Sequence, residues 1–109
     1  LILETAQLFR SGGNDSHVDI LGTSNIPSNY INPPTTATQR LYLRDFAQEI
    51  KDAGGLGLIV WGGEWVGSTT LIYADKWGAG SSWENKAFWD FDHNLHDGVN
   101  WMQDVTSKK

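Results

Sequence analysis

Two short runs of consecutive apolar residues, separated by one helical pattern, constrain the fold of this chain more than any other feature. The first run fills residues 1–4 and ends on Glu4, and the second extends over Leu56–Trp61. Strands that are apolar at successive positions are typical of parallel sheets, because both faces of such sheets are covered. Parallel strands need a crossover connection, so the two runs predict a strand–helix–strand unit with a right-handed crossover.

The crossover helix is predicted from Thr36 to about Asp52. Thr36 and Gln39 fit a capping box at its start, and the Ala-Gly-Gly of residues 53–55 ends it. Apolar side chains recur at helical spacing along one face: Leu43, Phe46, Ala47 and Ile50. The connection between the strands is therefore expected to be amphipathic, with its apolar face toward the sheet.

Long polar loops follow both predicted strands, over residues 6–35 and 62–94. Loops of about 30 residues are uncommon in compact domains and are usually functional. A final helix is predicted over residues 95–105, with Asp97 as its N-cap. The order is that of two βα units of an α/β protein, with long loops at the carboxyl ends of the strands, where barrel enzymes carry their active sites. Two strands cannot bury both faces alone, so the chain is expected to be part of something larger.

Composition excludes several classes of function. The net charge is −5, with 8 basic against 13 acidic side chains, which argues against a nucleic-acid partner. No apolar run approaches the roughly 18 residues that a membrane span needs, and the absence of cysteine excludes a disulfide framework. The 6 tryptophans all follow residue 60, in glycine-rich sequence. Such rings either stack on sugars or fill a core.

Two segments carry a resemblance to a known family. Residues 55–65, GLGLIVWGGEW, and residues 80–103, GSSWENKAFWDFDHNLHDGVNWMQ, resemble the C-terminal end of the endo-β-1,4-galactanases of glycoside hydrolase family 53. The opening LILETAQLF resembles the seventh strand of that family, which ends in Glu-Thr. The resemblance implies that residues 1–109 hold strand seven, helix seven, strand eight and helix eight of a (β/α)8 TIM barrel. The first six units would lie outside this chain.

The resemblance implies a retaining glycosidase in which Glu4 is the catalytic nucleophile. A carboxylate at the C-terminal end of a barrel strand can attack the anomeric carbon, and the acid/base must then lie about 5–5.5 Å away. In this family the acid/base ends strand four, so the isolated chain is expected to be inactive. The implied substrate is a polysaccharide, the β-1,4-galactan side chains of pectin. The implied location is secreted, periplasmic or at the cell surface.

A calcium site is also implied by the resemblance. Bacterial members of the family hold calcium in the loop after strand seven, with an Asp-x-Asp-x-His-x-Asn pattern. Aligned on the histidine, Asp15 and His17 match, Asp19 replaces the asparagine, and Gly13 stands at the first aspartate. Asp15, His17 and Asp19 alternate, so in extended backbone their side chains point to one side. A solvated polar loop is the alternative.

Sugar-binding residues are implied in the second loop. The family's Trp-Glu-Pro-Ala-Trp corresponds to residues 61–65, where both tryptophans match and the glutamate has moved two places to Glu64. Trp61 is expected at the cleft floor, Trp65 as a stacking platform, and Glu64 as a further candidate carboxylate. Three polar residues further along are expected to bind sugar hydroxyls or to close the calcium site: Ser82, Glu84 and Asn85.

Three functions compete at this point. The chain is part of a galactanase, a tryptophan-rich carbohydrate-binding module without catalysis, or an inactive barrel fragment held by a partner chain. Binding modules are usually antiparallel β-sandwiches, so a helix between two apolar runs favours the barrel. The expected partner is the missing N-terminal part of the barrel, or a second copy through self-association.

Overall fold

The structure, a computed structural model, describes residues 1–14, 18–66 and 82–106. Within these ranges, two strands and one α-helix form the frame: β1 at Ile2–Thr5, α1 at Thr36–Asp52 and β2 at Leu58–Val60. The same ranges hold three 3₁₀ helices, at Thr23–Asn25, Glu84–Lys86 and Asp97–Asp104. Among the described helices, none combines the length and the apolar character that crossing a membrane would require.

The strands β1 and β2 are parallel neighbours, as the apolar runs predict. Ile2 is opposite Leu58 and Thr5 is opposite Val60, so β1 uses one residue more than β2 over the same interval. This extra residue is a β-bulge, which bends a strand and redirects its side chains. Strand β2 is shorter than the predicted Leu56–Trp61, because Gly57 has φ of +138° and takes the backbone out of strand geometry.

Helix α1 confirms the predicted span but begins with a different cap. The hydroxyl of Thr35, not Thr36, accepts the hydrogen bond from the Thr38 N–H, at 3.2 Å. Gln39 closes no capping box, because its side chain points inward and is fully buried. The helix ends as expected, since Gly54 at φ +82° donates its N–H to the Lys51 carbonyl.

The core lies between α1, the sheet and the C-terminal segment. Leu43, Ala47 and Trp101 are buried together, and the surrounding partly buried apolar side chains are Tyr42, Leu58, Val60, Phe88 and Val105. Burial of apolar side chains is the main stabilising contribution in such a unit. The core therefore holds the sheet against the helix.

The final helix differs from the prediction. It is a 3₁₀ helix over Asp97–Asp104, and His96 rather than Asp97 is its N-cap. The Nδ1 atom of His96 accepts from the Gly98 N–H at 3.1 Å, whereas the Asp97 carboxylate accepts from Arg40 at 2.7 Å. An ion pair with α1 thus takes Asp97 away from the cap.

Both strands leave apolar side chains in contact with solvent. Leu3 in β1 is 61% exposed and Ile59 in β2 is 52% exposed. Parallel sheets are normally covered on both faces. The sheet of the described chain is therefore only partly covered by α1, in agreement with a partial barrel.

Candidate active site

Glu4 lies near the carboxyl end of β1 and is exposed. Its φ of +60° places it in the left-handed region, which residues other than glycine seldom adopt. Such a conformation costs on the order of 1–3 kcal/mol and is concentrated at functional sites. It coincides with the β1 bulge, between Ile2 and Thr5. The Glu4 side chain therefore departs from the regular alternation of side chains between the two faces of a strand.

The end of β2 brings a tryptophan to the same edge of the sheet. The Trp61 N–H donates to the Thr5 carbonyl at 2.8 Å, one residue beyond Glu4. Trp61 directly follows β2. A carboxylate and an indole therefore leave the sheet at neighbouring positions, on the side where active sites of βα proteins are formed.

Three tryptophans form a contiguous wall, which we call the tryptophan wall: Trp61, Trp65 and Trp83. Their ring centroids are 4.5 Å apart for Trp61 and Trp65, and 5.2 Å apart for Trp61 and Trp83. The rings meet at steep angles, 62° and 78°, in the edge-to-face manner that aromatic pairs prefer. Each ring is partly buried and keeps some surface exposed. Sequence reasoning identified Trp61 and Trp65 but not Trp83.

Two glycines between Trp61 and Trp65 allow the wall to form. Gly62 has φ of +70°, and a Cβ there would lie 2.8 Å from the Lys86 amine and 3.0 Å from the Trp65 ring. A Cβ on Gly63 would lie 2.7 Å from the Phe88 ring. The two glycines thus let the backbone of residues 62–63 lie close to the side chains of Lys86 and Phe88.

Lys86 lies inside the tryptophan wall. Its side chain is fully buried, and its Nζ donates to the Trp61 carbonyl at 2.6 Å. Burial lowers the pKa of Lys86 to about 8, against an opposing effect of the Glu64 carboxylate. No helical or strand periodicity marks this residue, so sequence reasoning missed it.

The other two predicted sugar-binding residues, Glu64 and Asn85, lie in different environments. Glu64 is exposed in the loop between Trp61 and Trp65, close enough to act on the Lys86 charge. Asn85 is fully buried and donates from Nδ2 to the Leu21 carbonyl at 2.9 Å. The structure therefore groups Glu64 with the wall, and places Asn85 between the first loop and the wall segment.

The first loop meets the wall segment at Glu84. The Glu84 carboxylate is buried and accepts from the Asn14 N–H at 2.7 Å. A Cβ on Gly13 would overlap Glu84 Oε1 and would lie 3.1 Å from both carboxylate oxygens of Asp19. Two carboxylates thus converge on Gly13, while Asp15 and His17 lie outside the described residues.

Calcium prefers oxygen ligands, and several oxygen atoms of this region lie close together. Asp19 and Glu84 bring carboxylate oxygens together, and the nearby Asn85 contributes a buried Oδ1 that has no hydrogen-bond partner. Within residues 1–14, 18–66 and 82–106, no group of three or more His, Cys, Asp or Glu could hold a metal. The oxygens present suit a calcium ion in chemistry.

Comparisons with known proteins agree on one family. The model of "Glycosyl hydrolase family 53" matches residues 1–102. An arabinogalactan endo-β-1,4-galactanase of Cellvibrio japonicus is 33% identical over 90 residues, covering 83% of this chain and 23% of the relative. The solved "GH53 catalytic domain" of Ignisphaera aggregans superposes with a TM-score of 0.72 at 23% identity, covering 96% of this chain and 29% of that structure. The chain thus spans about a quarter of the length of these proteins.

Proposed function

The chain belongs to glycosyl hydrolase family 53, and on this premise we propose that it supplies the nucleophile and part of the sugar-binding cleft of a retaining β-1,4-galactanase. One observation carries the proposal: an exposed glutamate in left-handed backbone at the carboxyl end of β1, next to the tryptophan wall. The galactanase of Cellvibrio japonicus supports galactan as the substrate.

The chemistry assigned to Glu4 is a double displacement. Its carboxylate attacks the anomeric carbon, the glycosidic C–O bond breaks, and an acid elsewhere in the barrel protonates the departing oxygen. The resulting glycosyl ester on Glu4 is then hydrolysed by water, which the same acid, now a base, deprotonates. Two inversions at the anomeric carbon give net retention. Glu4 needs to be accessible to substrate, and its side chain is exposed.

The tryptophan wall would bind the galactan chain by stacking. Sugar rings present C–H-rich faces, and indole rings offer large apolar surfaces with little conformational freedom to lose. Trp61 is the wall residue whose backbone N–H is bonded to Thr5, next to Glu4. We assign Trp61 to the sugar next to the scissile bond and Trp65 to the adjoining one. Glu64 at the rim would accept hydrogen bonds from sugar hydroxyls, and Asn85, being buried, would act by holding the first loop against this segment.

Calcium binding is a second part of the proposal. Asp19 and Glu84 would supply carboxylate oxygens, joined by Asp15 and His17 of the same loop. A bound calcium ion would neutralise the converging carboxylates and fix the first loop beside the wall. Excess Ca²⁺ should then raise the Tm of the chain more than Mg²⁺ does. Asp19→Ala should remove that rise and Asp52→Ala should keep it; an equal response of both variants would rule the site out.

The partner proposed for the exposed strand faces is the remainder of a (β/α)8 barrel. This chain corresponds in the proposal to strand seven, helix seven, strand eight and helix eight. Exposed apolar side chains such as Leu3 and Ile59 would pack against neighbouring strands and helices. Alone, the 109-residue chain should self-associate in sedimentation velocity and release no galacto-oligosaccharide from galactan. A monodisperse, active monomer would contradict both expectations.

The proposed location is outside the cytoplasm, either secreted or at the cell surface. A galactan polymer cannot cross a membrane intact, so its hydrolysis must take place where the polymer lies.

The test replaces the aligned segment of the Cellvibrio japonicus galactanase with this chain, which gives a complete barrel. In that barrel, Glu4→Gln should lower kcat by more than about 10³-fold while galactan binding persists, as expected for a nucleophile. The matched variant Glu64→Gln should retain kcat within roughly tenfold. Activity of the Glu4→Gln protein near that of the unsubstituted barrel would refute the assignment of the nucleophile.

A further inference from the structure

Lys86 occupies the space between the three rings of the tryptophan wall. Its Nζ lies 4.1 Å from the centroid of Trp61, 4.9 Å from that of Trp83 and 5.1 Å from that of Trp65. We propose that Lys86 is a positioning residue, whose ammonium group sets the geometry of the wall by contacting all three indole rings at once. The link from this geometry to sugar binding rests on the proposed function.

The surroundings of Lys86 are those of a buried cation and not of a neutral amine. Each of the three distances is within the range of about 6 Å for cation–π attraction, and indole is the strongest ring for it. Buried charges persist in proteins only where partners replace water. Here one N–H of the ammonium group donates to the Trp61 carbonyl at 2.6 Å. The π faces take the place of the remaining water, so the charge and the rings stabilise each other.

The backbone on both sides is arranged to admit the ammonium group. A Cβ on Gly62 would lie only 2.8 Å from Lys86 Nζ. Because glycine has none, the Lys86 side chain can reach the carbonyl of Trp61. On the other side, Gln39 of α1 donates from Nε2 to the Lys86 carbonyl at 2.9 Å. Lys86 is thus fixed to the helix and the wall is fixed to Lys86. A side chain that is tied to a rigid element in this way can hold binding groups in one arrangement.

Proton–carbon NMR of the lysine side chains of the intact 109-residue chain tests the arrangement without any substitution. Ring currents of three indoles should shift one set of Lys Hε signals strongly upfield. The exposed Lys51 should keep ordinary shifts. If every lysine shows ordinary shifts, the proposal is wrong.

A pair of variants separates positioning from general loss of structure. Lys86→Met keeps side-chain length and removes the charge, and Lys51→Met does the same at an exposed site on α1. Lys86→Met should change the near-UV circular dichroism of the tryptophans, with the far-UV spectrum unchanged. In the barrel completed with this chain, it should also weaken galactotetraose binding by roughly fivefold. Lys51→Met should alter none of these.

The outcomes distinguish the two proposals. An unchanged near-UV spectrum in folded Lys86→Met would overturn the positioning role. A shifted Lys86 signal together with no galactotetraose binding by the barrel completed with this chain would support the positioning role and count against the sugar-binding function. If Lys86→Met does not fold, the ring-current shift in the NMR spectrum of the unsubstituted chain decides.

Discussion

The backbone N–H of Trp61 donates a 2.8 Å hydrogen bond to the carbonyl of Thr5, and this bond joins the ends of the two parallel strands. Glu4 directly precedes Thr5, so the candidate nucleophile and the first ring of the tryptophan wall leave the sheet side by side. The arrangement follows from parallel pairing, because parallel strands end at the same edge. It brings the candidate nucleophile and the tryptophan wall to the same edge of the sheet.

Gly62 should tolerate alanine poorly. Its φ of +70° disfavours any Cβ, and that Cβ would also press on Lys86 and the Trp65 ring. We expect Gly62→Ala to lower the free energy of unfolding by about 2–4 kcal/mol, the sum of backbone strain and overpacking. Urea unfolding of Gly62→Ala and of the unsubstituted chain measures this loss.

Gly54→Ala is the matched control, since Gly54 has φ of +82° but nothing within 4 Å of its Cβ position. It should cost only about 1–2 kcal/mol, and equal losses in the two variants would show that the wall exerts no packing constraint.

Gln39 should be the most important polar side chain of α1 for stability. Its buried Nε2 donates to the carbonyls of Gln7 and Lys86, each at 2.9 Å, and so ties the first loop and the wall segment to the helix. Gln39→Ala leaves two buried acceptors unpaired, which should cost about 2–4 kcal/mol. Gln48 has the same chemistry on the same helix, but its bonds to Asp52 and Thr106 are exposed. Gln48→Ala should cost less than about 1 kcal/mol; comparable losses would contradict the tethering role.

Acid should weaken the contact between α1 and the C-terminal 3₁₀ helix. Hydrogen bonds from Arg40 hold the pKa of Asp97 and that of Asp104 below their usual range. Because these pKa values are lower in the folded chain than in the unfolded one, the stability they provide is full above about pH 4 and is lost as the pH falls further. Arg40→Gln should therefore flatten the fall of the unfolding free energy below that pH.

The partners of Arg40 should differ in importance. Arg40 donates twice to Asp104, from Nε at 2.5 Å and from Nη2 at 2.8 Å, but only once to Asp97. Bidentate pairs are the stronger ones. Asp104→Asn should consequently lower the Tm more than Asp97→Asn, and the reverse order would refute this description of the contact.

How far the sequence predicts this structure depends on the range of the interactions. The strands and α1 follow from local patterns, and the end of α1 is confirmed because a glycine can adopt φ of +82° where most residues cannot. The bulge at Glu4 depends on the register against β2, which no local pattern reports. The burial of Lys86 depends on Trp61, 25 positions away. The cap at His96 depends on the competing ion pair of Asp97 with Arg40. Contacts between distant segments thus set the features that sequence reasoning missed.

The role of Glu4 as nucleophile can be tested by trapping the covalent glycosyl-enzyme intermediate. A 2-deoxy-2-fluoro galactobioside with a good leaving group forms a glycosyl ester that a retaining enzyme hydrolyses slowly, because the fluorine destabilises the oxocarbenium-like transition state. In the barrel completed with this chain, trypsin should release the labelled glutamate in the peptide that ends at Arg10, whereas Glu64 lies in the peptide that follows Lys51. We expect the added sugar mass on Glu4 alone. A label on Glu64, or an active barrel that acquires no label and gives products of inverted configuration, would contradict the assignment of Glu4 as the nucleophile.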